Sequence, residues 1–170
     1  AAGMTGAVII DPPDLPEVDR EFLLVQTEVY LDTVATSAED ATEVSADKVG
    51  AEQPDLVVFN GIANQYDEHM LEAQVGERVR IWVLDSGPNR PSSFHVVGGQ
   101  FDTIYQEGRW VLGGPEEEGD PTGGSQVLGL LPAQAGFVEL VMPEAGHYPL
   151  VSHLMVDAER GAHGFLRVSE

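Results

Sequence analysis

The chain contains 170 residues, and its 29 acidic residues against 8 lysines and arginines give a formal net charge of −21. Because nucleic-acid binding requires a basic surface, this balance argues against a nucleic-acid partner. The chain has no cysteine, which excludes disulfides, thiolate metal ligands and a cysteine nucleophile.

Length and hydropathy narrow the class of protein further. The length suits one domain, or one domain plus a fragment, and a chain of this size buries roughly two-thirds of its unfolded surface. No run of about 18 apolar residues occurs, so we expect no membrane span. The acidity has two explanations that the sequence leaves open, adaptation to a salty habitat or the acidic bias of a secreted protein.

The first 16 residues differ from the rest of the chain. Residues 3–6 (Gly-Met-Thr-Gly) precede an aliphatic run at 7–10, and residues 11–16 contain three prolines. Such a proline-rich segment cannot continue a strand. We therefore predict that residues 11–16 are an interdomain linker and that the domain after it comprises residues 17–170.

The second domain has the pattern of an all-β fold. Hydrophobic residues make up 42% of the chain, together with 19 glycines and 11 prolines, a composition that favours short strands joined by turns. Alternating side chains predict about eight or nine strands, and the clearest runs are residues 20–30, 56–59, 78–84, 136–141 and 164–168. Short helices are predicted near 46–51 and at 154–158, with Ser152 as N-cap. Residues 64–70 and 107–125 are predicted as loops.

Two histidines occupy positions that suit a function. His95 lies on a short apolar strand that ends at Gly98, and His153 lies where a strand passes into a short helix. A residue at such a strand end is fixed by the sheet behind it while its imidazole points outward, which suits a metal ligand. Taken alone, a histidine of this kind is more often a capping or surface residue. The remaining histidines are interpreted as non-ligands: His69, His147 and His163.

The surroundings of these histidines form a pair of motifs. Residues 94–99 read Phe-His-Val-Val-Gly-Gly, and residues 152–154 read Ser-His-Leu before Gly161 and Ala162. Together with the rest of the chain they resemble the second cupredoxin domain of the copper-containing nitrite reductases, within the multicopper oxidase superfamily. The resemblance implies an all-β, cupredoxin-like Greek-key β-sandwich with one or two short helices.

The same resemblance implies roles for individual residues. It makes His153 a ligand of the catalytic copper, His95 a proton donor that acts through a bound water, and Val97 an aliphatic residue that shapes the substrate pocket. Two further histidine ligands would come from the first domain of a neighbouring subunit in a homotrimer. Met4 corresponds to the axial ligand of a blue copper whose other ligands would lie upstream. The resemblance thus makes residues 1–16 the last strand of a preceding cupredoxin domain plus a proline-rich linker, and residues 17–170 the second cupredoxin domain. The chain is therefore expected to be the C-terminal part of a two-domain protein, inactive by itself and without a blue copper.

The function implied by the resemblance is that of a copper-dependent oxidoreductase located outside the cytoplasm, in the periplasm or secreted. It would reduce a small anion, nitrite, to nitric oxide with electrons from a small redox protein. Single histidines in place of His-X-His pairs argue against the three-copper cluster of the oxidases that reduce dioxygen. Two alternatives stay open, another two-domain multicopper oxidase and a metal-free cupredoxin domain kept for structure or assembly. No Gly-X-Ser-X-Gly elbow and no phosphate-binding loop points to other chemistry.

Overall fold

The structure is a computed structural model that describes residues 3–33, 37, 43–115 and 123–170. Short strands dominate it, and each helix has only four or five residues. In chain order the elements are β1 (Arg20–Val29), α1 (Ala46–Gly50), β2 (Leu56–Phe59), α2 (Gln65–Glu68), β3 (His69–Gln74), β4 (Arg78–Asp85), β5 (Ser92–Val96), β6 (Thr103–Gln106), β7 (Arg109–Leu112), β8 (Leu128–Leu130), β9 (Ala135–Val141), β10 (Gly146–Ser152), α3 (Met155–Glu159) and β11 (His163–Ser169).

The strands form two packed sheets. The six-stranded sheet has the order β2-β1-β4-β9-β6-β7, and the five-stranded sheet has the order β3-β11-β10-β5-β8. Most neighbouring strands are antiparallel, whereas β1 and β4 are parallel, as are β3 and β11. Because successive strands often belong to different sheets, the chain crosses between the layers as in a Greek-key sandwich. The predicted all-β sandwich is confirmed.

The core lies between the sheets and follows from the alternation of side chains. On β4, Val79, Ile81 and Val83 share one face and are at most 1% exposed. From the opposite sheet, Phe94 stacks on Phe101 with ring centroids 6.2 Å apart. Burial of such side chains is the main stabilising contribution to a sandwich of this kind, and it fixes which face of each strand points outward.

The predicted loop at 107–125 contains a strand, so that prediction is wrong in part. Strand β7 pairs with β6 across a turn in which Glu107 and Gly108 have positive φ angles of 50° and 84°. The ring of Trp110 packs against Tyr105 and Phe137 with centroid distances of 5.2 and 5.5 Å. These aromatic contacts hold β7 in the sheet although its neighbours in sequence are acidic. The Glu-Glu-Glu run within this stretch lies outside the described residues.

Two smaller predictions are also corrected. Ser152 does not cap a helix, because it is the last residue of β10 and its Oγ accepts a hydrogen bond from the backbone N–H of Ser93 at 3.3 Å. The N-cap position of α3 belongs to Leu154. The predicted loop at 64–70 holds α2, and His69 begins β3. In the part of the chain that is described, none of the helices is long and apolar enough to cross a membrane.

Candidate metal centre

The two histidines singled out by the sequence lie side by side on the outer face of the five-stranded sheet. On β5, Phe94 and Val96 are fully buried in the core, so the alternation of a strand directs His95 to the opposite face. Antiparallel pairing with β10 places Val151 directly opposite His95, and His153 follows two residues later. The centroids of the two imidazole rings are 5.5 Å apart.

His95 is nearly buried, and one of its ring nitrogens is fixed. Its Nδ1 contacts the backbone carbonyl oxygen of Gln126, and the imidazole is 9% exposed. Because a carbonyl oxygen can only accept a hydrogen bond, Nδ1 must carry a proton. In the neutral ring, Nε2 is then the basic nitrogen, and it has no hydrogen-bond partner among the described residues. No pattern in the sequence predicted that Gln126 would orient this ring.

His153 combines a fixed backbone with an exposed ring. Its backbone N–H donates to the carbonyl oxygen of Ser93 at 2.7 Å, which attaches this residue to β5 just beyond the end of β10. The side chain is exposed, and no group in the described ranges hydrogen-bonds to its imidazole. Both ring nitrogens are therefore available for a ligand, and imidazole is a nitrogen donor that suits copper.

The two imidazoles fit a copper ion but do not complete its coordination. The described parts of the chain contain no group of three or more histidine, cysteine, aspartate or glutamate side chains that could hold a metal ion. A site built here needs at least one more ligand from elsewhere, because metal ions of this type bind three or four protein donors.

The other two predicted site residues have different surroundings. Val97 lies beyond the end of β5, donates its backbone N–H to the carbonyl oxygen of Pro149 at 2.7 Å, and is 41% exposed. By strand alternation it follows His95 on the same face. Met4 is 95% exposed and lies in residues 3–10, which have no regular secondary structure. The structure thus brings His95, His153 and Val97 to one face.

A buried network of charged residues lies behind this face, and the sequence analysis did not detect it. Glu28 Oε1 accepts hydrogen bonds from the backbone N–H groups of Asn89 and Arg90 at 3.0 and 2.6 Å. The guanidinium of Arg90 reaches Asp157 in α3, and both Nε and Nη2 lie 3.1 Å from Oδ2. The network therefore connects β1 to the helix that follows His153.

Two further groups in this region have shifted pKa values. Burial raises the pKa of Asp85 to about 7, the charge of Glu28 raises it further, and the backbone N–H of Gly87 partly offsets these effects. Burial and a hydrogen bond to Glu28 raise the pKa of Tyr30 to about 12. Asp85 therefore changes its charge near neutral pH, whereas Tyr30 stays neutral there.

Comparison with known proteins gives the sequence relationship. The chain is 37% identical over 172 residues to the copper-containing nitrite reductase of Neisseria gonorrhoeae, which covers 99% of this chain and 41% of that protein. It is 27% identical over 186 residues to the copper-containing nitrite reductase of Neorhizobium galegae, covering 99% of this chain and 46% of that protein. The chain thus spans less than half the length of these relatives. No protein-family model matches the chain.

Solved structures give the same relationship for the fold. The copper nitrite reductase from Nitrosomonas europaea aligns with a TM-score of 0.75 and 30% identity, over 95% of this chain and 54% of that one. The copper-containing nitrite reductase from Thermus scotoductus aligns with a TM-score of 0.71 and 28% identity, over 90% of this chain and 31% of that one. Over nearly its whole length the chain is therefore similar to a part of the copper-containing nitrite reductases, and its sandwich is a cupredoxin fold.

Proposed function

We propose that this chain is the second cupredoxin domain of a two-domain copper nitrite reductase, and that His153 supplies one ligand of its catalytic copper. The observation that carries the proposal is the pair of imidazoles on one face, with ring centroids 5.5 Å apart and His153 exposed. The 37% identity to a nitrite reductase over 99% of this chain supports it.

The ligand count determines what the rest of the protein must supply. The described residues hold no group of three candidate ligands, and the proposal places the remaining histidine ligands, as the resemblance implies, on the first domain of a neighbouring subunit in a homotrimer. Copper bound there supplies one electron and a positive charge for the anionic substrate. That local charge matters because a chain with a net charge of −21 repels nitrite at long range.

His95 is the proposed proton donor. Its Nδ1 is fixed on the carbonyl oxygen of Gln126, so Nε2 is the nitrogen that gains and loses a proton at the site. A near-neutral imidazole can donate that proton through a water molecule and regain it from solvent. The overall reaction consumes one nitrite, two protons and one electron, and it yields nitric oxide and one water.

Further parts of the proposal concern Met4, the electron donor and Val97. Met4 is the proposed axial ligand of a blue copper that upstream residues complete, and a small redox protein outside the cytoplasm supplies the electron. Val97 limits the space available to the substrate beside His95. This chain alone therefore binds no blue copper and does not turn over nitrite.

Nitric oxide production from nitrite by the intact protein tests the proposal. Copper-loaded protein should be active, chelator-treated protein should be inactive, and copper should restore the activity. His95→Ala should retain copper but lower turnover by roughly a hundredfold, the usual effect of losing a positioned proton donor. Copper loss in His95→Ala together with copper retention in His153→Ala would reverse the roles assigned to the two histidines.

A metal-free assembly domain is the second candidate, because two imidazoles alone do not complete a metal site. Metal analysis of the intact protein separates the two functions. An assembled protein without copper and without nitrite turnover would favour the assembly domain.

A further inference from the structure

We propose that the Arg90–Asp157 ion pair positions His153, which makes Arg90 and Asp157 positioning residues for the metal ligand. The part of this inference that concerns copper rests on the proposed function. The contacts themselves do not, because they follow from the arrangement of the segment that joins β10 to β11.

The segment that follows His153 cannot hold its conformation by itself. Its helix α3 has five residues, Met155–Glu159, and the N-cap residue Leu154 makes no side-chain capping hydrogen bond. Helices of this length are unstable in isolation, because nucleation fixes several residues for few hydrogen bonds. Backbone hydrogen bonds from Ser152 N–H to Ala162 O and from Ala162 N–H to Asp157 O, both 3.0 Å, close the base of the segment. The hydrogen bond from Val57 N–H to Arg160 O, 3.2 Å long, holds its end, and a side-chain contact fixes its middle.

Asp157 makes that contact. Its side chain is fully buried and lies in the middle of α3. Its Oδ2 lies 3.1 Å from both Nε and Nη2 of Arg90, and within the described residues its Oδ1 has no hydrogen-bond partner. A buried carboxylate is costly unless a cation or hydrogen bonds compensate its charge. Without Arg90 this buried carboxylate loses its compensating cation, which destabilises the packed position of α3.

The backbone of Arg90 is held in place by contacts that do not involve Asp157. Its backbone N–H donates to Glu28 Oε1 at 2.6 Å, and the ring of Pro91 restricts the chain that follows. A Cβ at Gly87 would overlap the carboxylate of Glu28, so only glycine lets the loop approach β1 this closely. The guanidinium therefore starts from a fixed backbone on the core side of α3.

His153 thus has attachments on both sides. On one side, its own N–H is bound to Ser93 O at 2.7 Å. On the other side, Asp157 anchors the helix one turn later. Removing the ion pair leaves α3 with only the backbone hydrogen bonds at its base, the bond from Val57 N–H to Arg160 O and the contact of His163 Nδ1 with Ala158 O. Since a metal ligand must be presented in a narrow range of orientations, supporting contacts of this kind raise metal affinity.

The test compares three variants of the intact protein. Arg90→Met removes the charge and the donors, and Arg90→Lys keeps a cation that can still approach Oδ2. The matched control is Arg78→Met, because Arg78 also forms ion pairs, with Asp102 at 2.8 Å and Glu139 at 3.2 Å, and its side chain is 35% exposed, against 25% for Arg90. Arg78 begins β4, at the opposite end of that strand from the loop that carries Arg90.

Amide hydrogen exchange of the copper-free protein is the first measurement. In Arg90→Met, the amides of residues 154–159 should exchange several-fold faster relative to those of β4 and β9, which report global stability. Arg90→Lys should lie between wild type and Arg90→Met, and Arg78→Met should match wild type. Unchanged exchange of α3 in a folded Arg90→Met protein would overturn the inference.

Copper affinity is the second measurement. Arg90→Met should weaken copper binding at the His153 site by about tenfold or more, the range typical of supporting residues, and Arg90→Lys should recover part of it. Faster exchange with unchanged affinity would overturn the role in positioning the ligand. A wild-type protein that binds no copper contradicts the proposed function instead, and the exchange measurement then still decides whether Arg90 orders the segment.

Discussion

The outer faces of the two sheets both carry polar side chains, but they use them differently. On the six-stranded sheet, Arg80 donates from Nε and Nη2 to Glu139 at 2.8 and 2.6 Å, and from Nη2 to Pro16 O at 2.6 Å. Trp82 Nε1 donates to Glu21 at 2.7 Å. These polar side chains therefore satisfy one another's hydrogen bonds.

On the outer face of the five-stranded sheet, the hydrogen bonding of the two histidine rings is incomplete. His153 has no hydrogen bond to its ring within the described residues, and His95 uses one ring nitrogen only. Polar groups that are paired internally contribute to stability, whereas unpaired groups in a fixed position are available to bind. The comparison indicates that polar residues on the outer face of a sheet suggest a binding function only where their side chains lack hydrogen-bond partners.

The largest expected effect is a loss of stability when an ion pair on the outer face of the six-stranded sheet is broken. Glu139→Ala leaves Arg80, whose side chain is 4% exposed, without its main partner, so the free energy of unfolding should fall by about 3–5 kcal/mol. Urea denaturation measures this. Glu72→Ala is the control, because its pair with Arg167 is more than half exposed on both sides and should contribute at most about 1 kcal/mol. Equal losses in the two variants would show that the buried pair has no special role.

The next effect concerns pH. Burial raises the pKa of Asp85 from 3.8 to about 7, so the folded chain keeps a proton that the unfolded chain has lost. The stability from this group is complete below about pH 4, declines as pH rises, and is lost above about pH 7. The difference is on the order of 4 kcal/mol. Asp85→Asn should remove this decline when urea denaturation is repeated across the range.

Asp55 provides a control for the pH prediction, because its contribution to stability changes with pH in the opposite direction. The hydrogen bond from Lys48 lowers the pKa of Asp55, so stability from Asp55 is present above its unfolded pKa and is lost as pH falls. Asp55→Asn should therefore cost stability at neutral pH and less in acid. Parallel pH profiles for wild type and Asp85→Asn would contradict the assigned burial effect.

A smaller effect is expected at Val97. Val97→Ala removes two methyl groups from a residue that is 41% exposed, so stability should change by at most about 0.5 kcal/mol. If Val97 lines the substrate site, kcat/KM for nitrite should change by about tenfold, the scale of a small apolar contact. Copper content should stay the same. Val111→Ala, at a residue 51% exposed on the other sheet, should leave turnover unchanged, and equal kinetics in the two variants would remove Val97 from the site.

The sequence predicted the core strands well because burial imposes a simple period on them. Val79, Ile81 and Val83 alternate as the predicted strand requires, and all three are buried. Strand β7 was missed because its aromatic contact depends on Trp110 meeting Phe137 from a distant strand. The acidic, glycine-rich sequence around Trp110 is typical of a loop and does not indicate that contact.

The candidate site was likewise predictable from the sequence only in part. The motifs around His95 and His153 could be read from the sequence, but the 5.5 Å separation of their rings depends on the pairing of β5 with β10. The Arg90–Asp157 pair could not be predicted, because its members are 67 residues apart and meet only through a loop conformation.

The most direct test of the central claim is the copper content of the intact protein after replacement of single histidines. His153→Ala should lose the catalytic copper while the free energy of unfolding changes by at most about 0.5 kcal/mol, since the ring is exposed and unpaired. His147→Ala, at another exposed histidine on β10, should retain all of the copper. Full copper retention in His153→Ala, or equal loss in both variants, would contradict the assignment of His153 as the metal ligand.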